Sequence, residues 1–314
     1  MILTITLHPA LDKIVRTPRL RPNDSARVNI VMEYGGGKGN NVARALHRLG
    51  VPVLAMGFQG GHIGETLIQR FAEEGIRTDF LMCRAPTRTS LMIIEEETGH
   101  TYSFYEPGQV VEADERERFR NRVLNRLSSA KMVLFCGTAR TPELAALNSE
   151  LIHAAQQRGL RCGLDSSGLA LREGIRARPY LVKVNREELS EFFDRSLDDL
   201  PAQLMAMHEL NRMGISLIAL SRGAEGLLIT DGKVWLEGRL SMDGVINVMG
   251  CGDSLLAGVA SAILEGLDLE GIVRRGVACG AANTQVIGSG FIDPALVRQL
   301  EHRVAVQAVH FPSS

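Results

Sequence analysis

The arrangement best suited to chemistry in this sequence is a glycine turn that carries an acidic residue. Gly250 and Gly252 flank Cys251, and Asp253 follows at the start of a run of small residues with no helix breaker before Gly266. The glycines allow a tight turn and a close approach of the backbone to a ligand. The first N–H groups of the following helix lack intrahelical partners, and the positive end of the helix dipole lies beside them. The turn is therefore a candidate anion site.

Asp253 itself is not expected to bind a phosphate, because a carboxylate and a phosphate repel each other. It suits a general base that takes a proton from a hydroxyl group while the N–H groups of the turn stabilise the charge that develops. The alternative is that Asp253 only caps the helix. The turn alone does not decide between these two interpretations.

A second glycine-rich turn spans residues 35–41 and precedes an apolar, helix-forming run. Its bare backbone lets a polyol approach closely. Asn40 or Asn41 can hydrogen-bond hydroxyl groups, and Lys38 can bind a phosphate. The stretch lacks the Gly-x-x-x-x-Gly-Lys-Ser/Thr spacing of a Walker A loop. Because glycine-rich turns before helices are common, this stretch alone does not establish a site.

Two further side chains lie where a sugar could be bound. Asp12 follows the apolar strand predicted at 2–7, and ligands of open α/β sheets bind beyond the carboxyl ends of strands. Arg88 stands at the root of a predicted hairpin and could bind a phosphate on a sugar. The alternatives are that Asp12 caps its loop and that Arg88 is a solvated surface residue.

A polar group follows the strand predicted at 181–184. Asn185 and Glu188 are three residues apart at a strand-to-helix junction, so they share one face if that segment is helical. A carboxylate and an amide there could hold a hydrated Mg²⁺, which is a hard ion that prefers oxygen ligands. The alternative interpretation is helix capping.

The elements that must position these side chains follow from apolar runs and their periodicity. Strands are predicted at 2–7, 51–57, 132–136, 161–165, 181–184 and 215–221, and helices at 64–75, 115–129, 142–158 and 276–288. Strands that alternate with helices favour an α/β fold with a mostly parallel central sheet flanked by helices. We expect one domain over 1–314.

A predicted hairpin of residues 87–95 and 101–105 interrupts this alternation. Together with the strand-like residues 13–34 it predicts a small β-sheet outside the main sheet. We call this small sheet the lid and expect it to span about 13–34 and 87–107.

Composition excludes several classes of protein. With 35 Lys and Arg against 36 Asp and Glu the net charge is −1, so neither nucleic acid nor a membrane surface is expected as a partner. Five scattered cysteines contain no CxxC pair, which disfavours zinc sites and a disulfide framework. The N-terminus lacks a basic leader, and no apolar run reaches the length of a membrane span. We expect a cytoplasmic protein.

Three motifs in fixed order resemble one family. They are the glycine stretch at 35–41, the polar segment at 183–188 and the turn at 250–253. Together they resemble the ribokinase-like sugar kinases, in the phosphofructokinase B branch, over essentially the whole chain. The resemblance implies a central, mostly parallel sheet with flanking helices and a small β lid. It also implies transfer of the γ-phosphoryl group of ATP to a sugar hydroxyl with Mg²⁺.

The resemblance implies a role for each matching residue. Asp253 matches the catalytic base, and the anion hole is matched by Gly250, Cys251 and Gly252, the middle position usually being Ala or Ser. Contacts with the sugar are implied for Asp12, Gly36, Gly37 and Asn41, and contacts with its phosphate for Lys38 and Arg88. The nucleotide and phosphate side is matched by Lys183, Asn185, Ser221, Gly223, Gly226 and Asn283. Glu188 matches the residue that holds Mg²⁺, through water.

The resemblance is strongest to kinases of phosphorylated ketohexoses. The expected reaction is ATP-dependent phosphorylation of tagatose 6-phosphate, fructose 6-phosphate or fructose 1-phosphate to the bisphosphate. Residues 281–285 look closest to tagatose-6-phosphate kinases. Two departures affect the sugar pocket: His8 stands where those kinases usually have Asn, and residues 137–140 replace their usual Ser-Gly-Ser.

Other functions on this fold stay open. One alternative is a kinase of an unphosphorylated sugar or a nucleoside, which would give the cations Lys38 and Arg88 nothing to pair with. Another is a sugar-phosphate sensor without catalysis, against which the intact Asp253 argues.

We also expect a homodimer formed through the lids. A projecting hairpin exposes one apolar face and open strand edges, and a few-stranded sheet is marginal alone. Packing against a second lid would cover both, whereas a lid that rests on its own domain would leave a monomer.

Overall fold

The apolar runs of the sequence build one large and one small sheet in the computed structural model, which describes residues 1–311. Its strands are β1 (Ile2–Thr6), β2 (Ala10–Thr17), β3 (Asn29–Gly36), β4 (Val53–Gln59), β5 (Leu81–Met82), β6 (Arg88–Glu95), β7 (Thr101–Tyr105), β8 (Met132–Cys136), β9 (Arg161–Asp165), β10 (Leu181–Asn185), β11 (Leu217–Ser221), β12 (Leu227–Thr230), β13 (Trp235–Arg239) and β14 (Ala305–Ala308).

Helices connect most of these strands and cover the large sheet. They are α1 (Lys38–Arg48), α2 (Gly61–Glu73), α3 (Ala113–Arg126), α4 (Pro142–Gln156), α5 (Gly168–Arg176), α6 (Arg186–Phe193), α7 (Leu200–Arg212), α8 (Cys251–Glu265), α9 (Leu269–Asn283) and α10 (Pro294–Glu301). Within residues 1–311, no helix is long and apolar enough to cross a membrane.

The large sheet has the strand order β14-β13-β12-β11-β10-β9-β8-β1-β4-β5. Strands β11 to β5 in this order run parallel, and β12, β13 and β14 are antiparallel additions at one edge. Because β-α-β connections bring the carboxyl ends of parallel strands to one edge, polar residues that follow these strands meet there. The predicted fold class is confirmed.

Both faces of the large sheet are buried, as expected of a parallel sheet between helices. Alternate residues of β8 separate the two cores: Val133 and Phe135 pack with α3 to α7, whereas Met132, Leu134 and Cys136 pack with α1, α2 and α8 to α10. This period of two is the direct result of the pleat. Strands buried on both faces read as continuous apolar runs, which is why the sequence located them well.

The small sheet has the order β3-β2-β6-β7 and differs from the expected lid in its boundaries. Strand β2 begins at Ala10 and β3 extends to Gly36, so the sheet starts before residue 13 and runs into the glycine stretch. Asp12 therefore lies in a strand, opposite Tyr34 and Ser90, and the loop-capping interpretation of Asp12 is wrong. Ladder pairing across two neighbouring strands is a non-local interaction that the short mixed sequence does not reveal.

The second small-residue helix also differs from the prediction. Helix α9 spans 269–283 instead of 276–288, because the Asp268 side chain accepts the N–H of Gly271 at 2.8 Å and caps an earlier start. The small residues mark the contact between α8 and α9. A Cβ atom on Gly258 would lie 2.6 Å from the carbonyl oxygen of Arg275.

Candidate active site

Asp253 lies buried at the start of α8, with 7% of its surface exposed. The side-chain amide of Asn41 donates to Asp253 Oδ2 at 2.8 Å, although the two residues are 212 positions apart. Burial raises the pKa of Asp253 to about 6. The negative charge of Asp165 raises this pKa further, whereas the positive charges of Lys38 and Lys183 lower it in part. At pH 7 and above the carboxylate is ionised and basic enough to accept a proton.

The turn before Asp253 requires glycine at position 250 and presents bare backbone at position 252. Gly250 has φ 76°, and a Cβ atom there would overlap Ser289. A Cβ atom on Gly252 would lie 2.8 Å from Lys183 Nζ, so this ammonium group faces the bare backbone of the turn. The four residues predicted as base and anion hole, 250–253, are thus brought together around the helix N-terminus.

Asn283 supports this turn from beneath. Its side chain is fully buried, donates to the carbonyl oxygen of Met249 at 2.7 Å, and accepts from Ser254 Oγ at 2.9 Å and from the N–H of Gly290 at 2.8 Å. The nucleotide contact predicted for Asn283 stays a prediction, because the position that the structure gives this side chain is internal.

A cluster of alternating charges borders the turn. Lys38 Nζ lies 2.9 Å from Asp165 Oδ1 and 2.6 Å from Glu188 Oε1, and Lys183 Nζ lies 3.1 Å from Asp165 Oδ2. Burial lowers the pKa of Lys38, but Asp165, Glu188 and Asp253 outweigh it and the pKa is raised. The structure thus pairs Lys38 with carboxylates, and its contact with a sugar phosphate stays a prediction.

Asp165 is a site residue that sequence reasoning missed. It is fully buried, and although burial raises its pKa, Lys183 and Lys38 lower the pKa below its usual range. Asp165 ends strand β9, at the same edge as the predicted site. The rule that was applied to Asp12, a polar residue at the carboxyl end of a strand, also marks Asp165.

Asn185 and Glu188 form a reciprocal cap at the start of α6. Asn185 Oδ1 accepts the N–H of Glu188 at 2.7 Å, and Glu188 Oε2 accepts the N–H of Asn185 at 2.9 Å. The capping interpretation is therefore correct. Within residues 1–311, no group of three or more His, Cys, Asp or Glu could hold a metal ion. A metal role for Glu188 requires further oxygen ligands from water or substrate and stays a prediction.

The sugar side of the site lies between the lid and the body. A Cβ atom on Gly36 would overlap the Asp12 carboxylate, so the bare backbone of the glycine stretch brings Asp12 close. Burial raises the pKa of Asp12 to about 6, partly offset by a hydrogen bond from Ser90 and by Arg44 and Arg88. A cavity lined by Asp12, Ser90 and Met249 separates the inner lid face from the turn. Asp12 and Asp253 interact electrostatically, so the two sets of residues form one site.

Arg88 interacts electrostatically with both Asp12 and a second arginine, Arg140. Burial lowers the pKa of Arg88, and Arg140 lowers it further while Asp12 raises it. Arg88 donates to the carbonyl oxygen of Glu106 at 3.3 Å, and its Nε has no partner among the described residues. Neither guanidinium forms an ion pair with a carboxylate in residues 1–311. Arg140, which departs from the expected Ser-Gly-Ser, is a second residue that sequence reasoning did not assign.

The residues predicted to contact the nucleotide follow β11, which lies next to β10 in the large sheet. Ser221 ends β11, and its hydroxyl donates to the carbonyl oxygen of Val184 at 3.3 Å. A Cβ atom on Gly223 would meet nothing within 4 Å, whereas one on Gly226 would overlap the carbonyl group of Gly238. One glycine thus lines open space and the other permits a tight turn.

Arg44 holds the glycine stretch, α2 and the C-terminal loop together. It is fully buried, and its guanidinium donates to the carbonyl oxygens of Gly35 at 2.7 Å and Ser289 at 3.2 Å and pairs with Glu74 at 3.0 Å. It also reaches Asn41 Oδ1 at 3.4 Å. Three rings surround it at 4.9, 5.5 and 4.6 Å: Tyr34, Phe71 and Phe291. Arg44 therefore fixes the amide that orients Asp253.

A buried carboxylate beside a glycine turn, at the carboxyl edge of a parallel sheet, is the arrangement expected of a site for phosphoryl transfer to a hydroxyl group. The model for pfkB family carbohydrate kinases matches residues 5–296. ATP-dependent 6-phosphofructokinase isozyme 2 of Escherichia coli (strain K12) is 33% identical over 285 residues, which are 90% of this chain and 92% of that protein.

Solved structures agree. A crystal structure of phosphofructokinase-2 from Escherichia coli in complex with potassium has a TM-score of 0.90 at 30% identity, over 96% of this chain and 98% of that chain. A tetrameric inhibited form of phosphofructokinase-2 from the same organism has a TM-score of 0.88 at the same identity and coverage. The chain belongs to the pfkB family of carbohydrate kinases, as its motifs predicted, and it is a carbohydrate kinase.

Proposed function

We propose that this kinase phosphorylates an already phosphorylated ketohexose, with ATP as co-substrate, to give the bisphosphate. Fructose 6-phosphate, tagatose 6-phosphate and fructose 1-phosphate are the candidates. The single observation that carries this proposal is a pair of interacting guanidinium groups: Arg88, which also interacts with the Asp12 carboxylate, and Arg140. Two like charges that repel each other and form no ion pair with a carboxylate favour the binding of an anion, and arginine matches the geometry of a phosphate.

The relatives support the same substrate class. The similar protein from Escherichia coli is named as an ATP-dependent 6-phosphofructokinase, which acts on a sugar phosphate. An unphosphorylated sugar or a nucleoside would leave the two arginines unpaired. A sensor without catalysis would have no use for a buried carboxylate whose pKa of about 6 suits a general base.

In the proposed reaction, Asp253 accepts the proton of the sugar hydroxyl that attacks the γ-phosphorus of ATP, while the bond from the γ-phosphorus to the bridging oxygen breaks and ADP leaves. Asn41 orients the carboxylate through its hydrogen bond at 2.8 Å. Charge spreads over the oxygens of the phosphoryl group in flight, so positioning and electrostatic stabilisation carry most of the catalysis. The N–H groups of residues 250–253, together with Lys183 facing Gly252, stabilise that charge.

Mg²⁺ fits the edge of the charged cluster at Glu188. Glu188 supplies a hard oxygen donor, whereas Asp165 is fully buried and both of its oxygens pair with lysines. Mg²⁺ commonly binds through one or two carboxylates with substrate phosphates and water. Glu188 would hold the ion through water, and the ion would neutralise charge on the ATP phosphates when bound. We propose that Lys183, Asn185, Ser221 and Gly223 form the surrounding nucleotide surface, with Gly226 shaping its turn.

We propose that the small sheet acts as a lid on a single kinase domain. Its inner face carries Asp12 and Ser90 and lies against Met249 of the turn. Closure over the sugar would exclude water from the phosphoryl group and so limit hydrolysis of ATP.

A turnover assay tests the proposed function. ADP release is measured with Mg²⁺ and each candidate sugar phosphate, with fructose and tagatose, and with adenosine, and the product is identified by mass spectrometry. We expect a much higher kcat/KM for one or more sugar phosphates than for their unphosphorylated parents. Preference for a parent sugar or adenosine would refute the substrate class, and ligand binding without turnover would indicate a sensor.

We also propose a homodimer formed through the lids. On the outer lid face, Tyr102 is 38% and Phe104 is 55% exposed, and Ile30 of β3 is 62% exposed. Cross-strand pairing places Ile93 opposite Tyr102 on that face. An apolar, open-edged sheet of this kind favours burial against a second copy.

Sedimentation equilibrium at micromolar concentration tests the dimer. We expect a species of twice the 34.3 kDa chain mass. A single species at the chain mass would refute the dimer, and a dimer unaffected by Ile93→Asp and Phe104→Asp would refute the lid interface. We propose the cytoplasm as its location, because ATP and sugar phosphates are available there; cell fractionation tests this.

A further inference from the structure

We propose that a cavity between α3 and β5 binds the phosphate group of a small phosphorylated molecule, at a site separate from the active site. The cavity is open to solvent and has a volume of about 460 Å³. Its walls are one face of α3 and residues 79 and 81. Small-molecule sites in proteins typically have volumes of about 300–1,000 Å³, so a phosphorylated metabolite fits.

The lining of this cavity has an excess of positive charge. Arg118, Arg122 and Arg126 line it at intervals of four residues, so they lie along one face of α3. Within residues 1–311, Asp79 is the only acidic residue that lines the cavity. Three guanidinium groups and one carboxylate therefore give the lining a net charge of +2.

Asp79 holds two of the arginines in place. Arg122 Nη1 lies 3.1 Å from Asp79 Oδ1, and Arg126 Nε lies 2.6 Å from Asp79 Oδ2. Arg122 also donates to the carbonyl oxygen of Phe80 at 2.8 Å. These contacts order both guanidinium groups before a ligand binds, but one carboxylate does not neutralise two positive charges. Ordered arginine side chains match the geometry of a phosphate group.

The third arginine, Arg118, is exposed and forms no hydrogen bond or ion pair with a residue of 1–311. The acidic residues near it on α3 already have partners. Asp114 pairs with Arg84 at 2.8 Å, and Glu117 lies 3.8 Å from Arg120. The charge of Arg118 is therefore available to an anion, and like charges gathered in a concave surface raise the local concentration of anions.

The neutral residues of the lining suit the remainder of a phosphorylated molecule. Leu81 is buried and provides an apolar contact, and Asn125 provides a side-chain amide that has no hydrogen-bond partner within residues 1–311. An amide can bind a sugar hydroxyl group or the polar edge of a base. Sugar phosphates and nucleotides share the phosphate ester, and titrations with one of each distinguish the two sources.

The cavity shares no residue with the active site. Asp165 and Ser221 end strands in the middle of the large sheet, whereas β5 is the edge strand at one end of it. The cavity between the lid and the turn at 250–253 has a different lining, which includes Leu91. Leu81 and Leu91 are therefore separate reporters of the two cavities.

Methyl NMR of the full chain with ¹³C-labelled leucine tests the proposal by titration with sodium pyrophosphate, ADP and fructose 1,6-bisphosphate. The Leu81 signals should shift with pyrophosphate and with at least one of the two esters. In Arg118→Gln, the Kd measured at Leu81 should rise about 10-fold or more. Arg120→Gln removes the same charge from the same helix outside the cavity, and its Kd should stay within about 3-fold of the wild type.

The Leu91 signals are the internal control, and their response to each ligand should be the same in Arg118→Gln as in the wild type. Three results would overturn the proposal: no Leu81 shift with pyrophosphate, equal effects of Arg118→Gln and Arg120→Gln, or a response to pyrophosphate but to neither ester. The titrations need no catalysis and are independent of the proposed function, which a failed turnover panel would concern instead.

Discussion

Replacing the proposed base, Asp253→Asn, should stabilise the protein while it abolishes most activity. Ionisation of this carboxyl group is costly in the folded protein because the group is buried, and its pKa is therefore raised from the usual 3.8 to about 6. Between these two values the folded state binds the proton more tightly than the unfolded state, so the free energy of unfolding falls as pH rises. Asparagine has no proton to lose and escapes this loss.

The size of the effect follows from the two pKa values. The stability gain of the variant over the wild type should be about 1 kcal/mol at pH 4.5 and about 3 kcal/mol at pH 8. The local charges support the same direction. Two ammonium groups, Lys38 and Lys183, already pair with the carboxylates of Asp165 and Glu188. Ionisation of Asp253 adds a third negative charge, which these two positive charges do not balance. In the same variant, kcat should fall by about 10²-fold or more, which is the loss of rate typical when a general base is removed.

Urea denaturation at pH 4.5 and pH 8 measures this difference, with Asp243→Asn in an exposed loop as the matched control. The control should change stability by less than about 0.5 kcal/mol at both pH values. An Asp253→Asn variant that is no more stable than the wild type at pH 8, or whose gain does not grow with pH, would refute the reasoning about burial. Near-wild-type turnover by a folded variant would remove Asp253 from the role of base.

Three further results are expected. The kcat/KM of the wild type should fall at least tenfold per pH unit below about pH 6, because Asp253 must be unprotonated to act and Asp12 becomes protonated in the same range; a midpoint near pH 4 would contradict the raised pKa values. Lys38→Met and Arg88→Met should each raise KM more for a phosphorylated sugar than for its parent, and equal effects on both sugars would exclude phosphate recognition. Arg44→Met should lower the free energy of unfolding by about 3–5 kcal/mol, because it leaves Glu74 without its charge partner. The double variant Arg44→Met with Glu74→Met should be more stable than Arg44→Met alone. A double variant that is no more stable would contradict the pairing.

The sequence predicted the parallel strands and the glycine turns because their signals are local. Strand β8 is a continuous apolar run, and the turn at 250–253 shows its glycines and acid within four residues. The boundaries of the small sheet were less accessible. Strand β2 is held by pairing with β3 and β6, and its mixed sequence from Ala10 to Thr17 carries little strand signal of its own.

Residues that act through distant partners were the hardest to predict. Arg44 reads as an ordinary helix residue, yet its partners Glu74 and Ser289 are 30 and 245 positions away. From the sequence, Lys38 was predicted to bind a phosphate. Local sequence does not show that its ammonium group lies 2.9 Å from the carboxylate of Asp165, which is 127 positions further along the chain. Such contacts depend on which strands become neighbours, and that information is not present in local periodicity.

The separation of the site residues along the chain also constrains when activity can first arise during synthesis. Asn41 and Asp253 are 212 residues apart, and Tyr34 and Ser289 are 255 apart. Domains fold during translation only as their segments emerge from the ribosome, and contacts of such long range form late. A nascent chain can assemble its first β-α units early, but Asp253 and the amide of Asn41 meet only when most of the protein has been made. We therefore expect chains that end before Asp253 to lack phosphoryl-transfer activity.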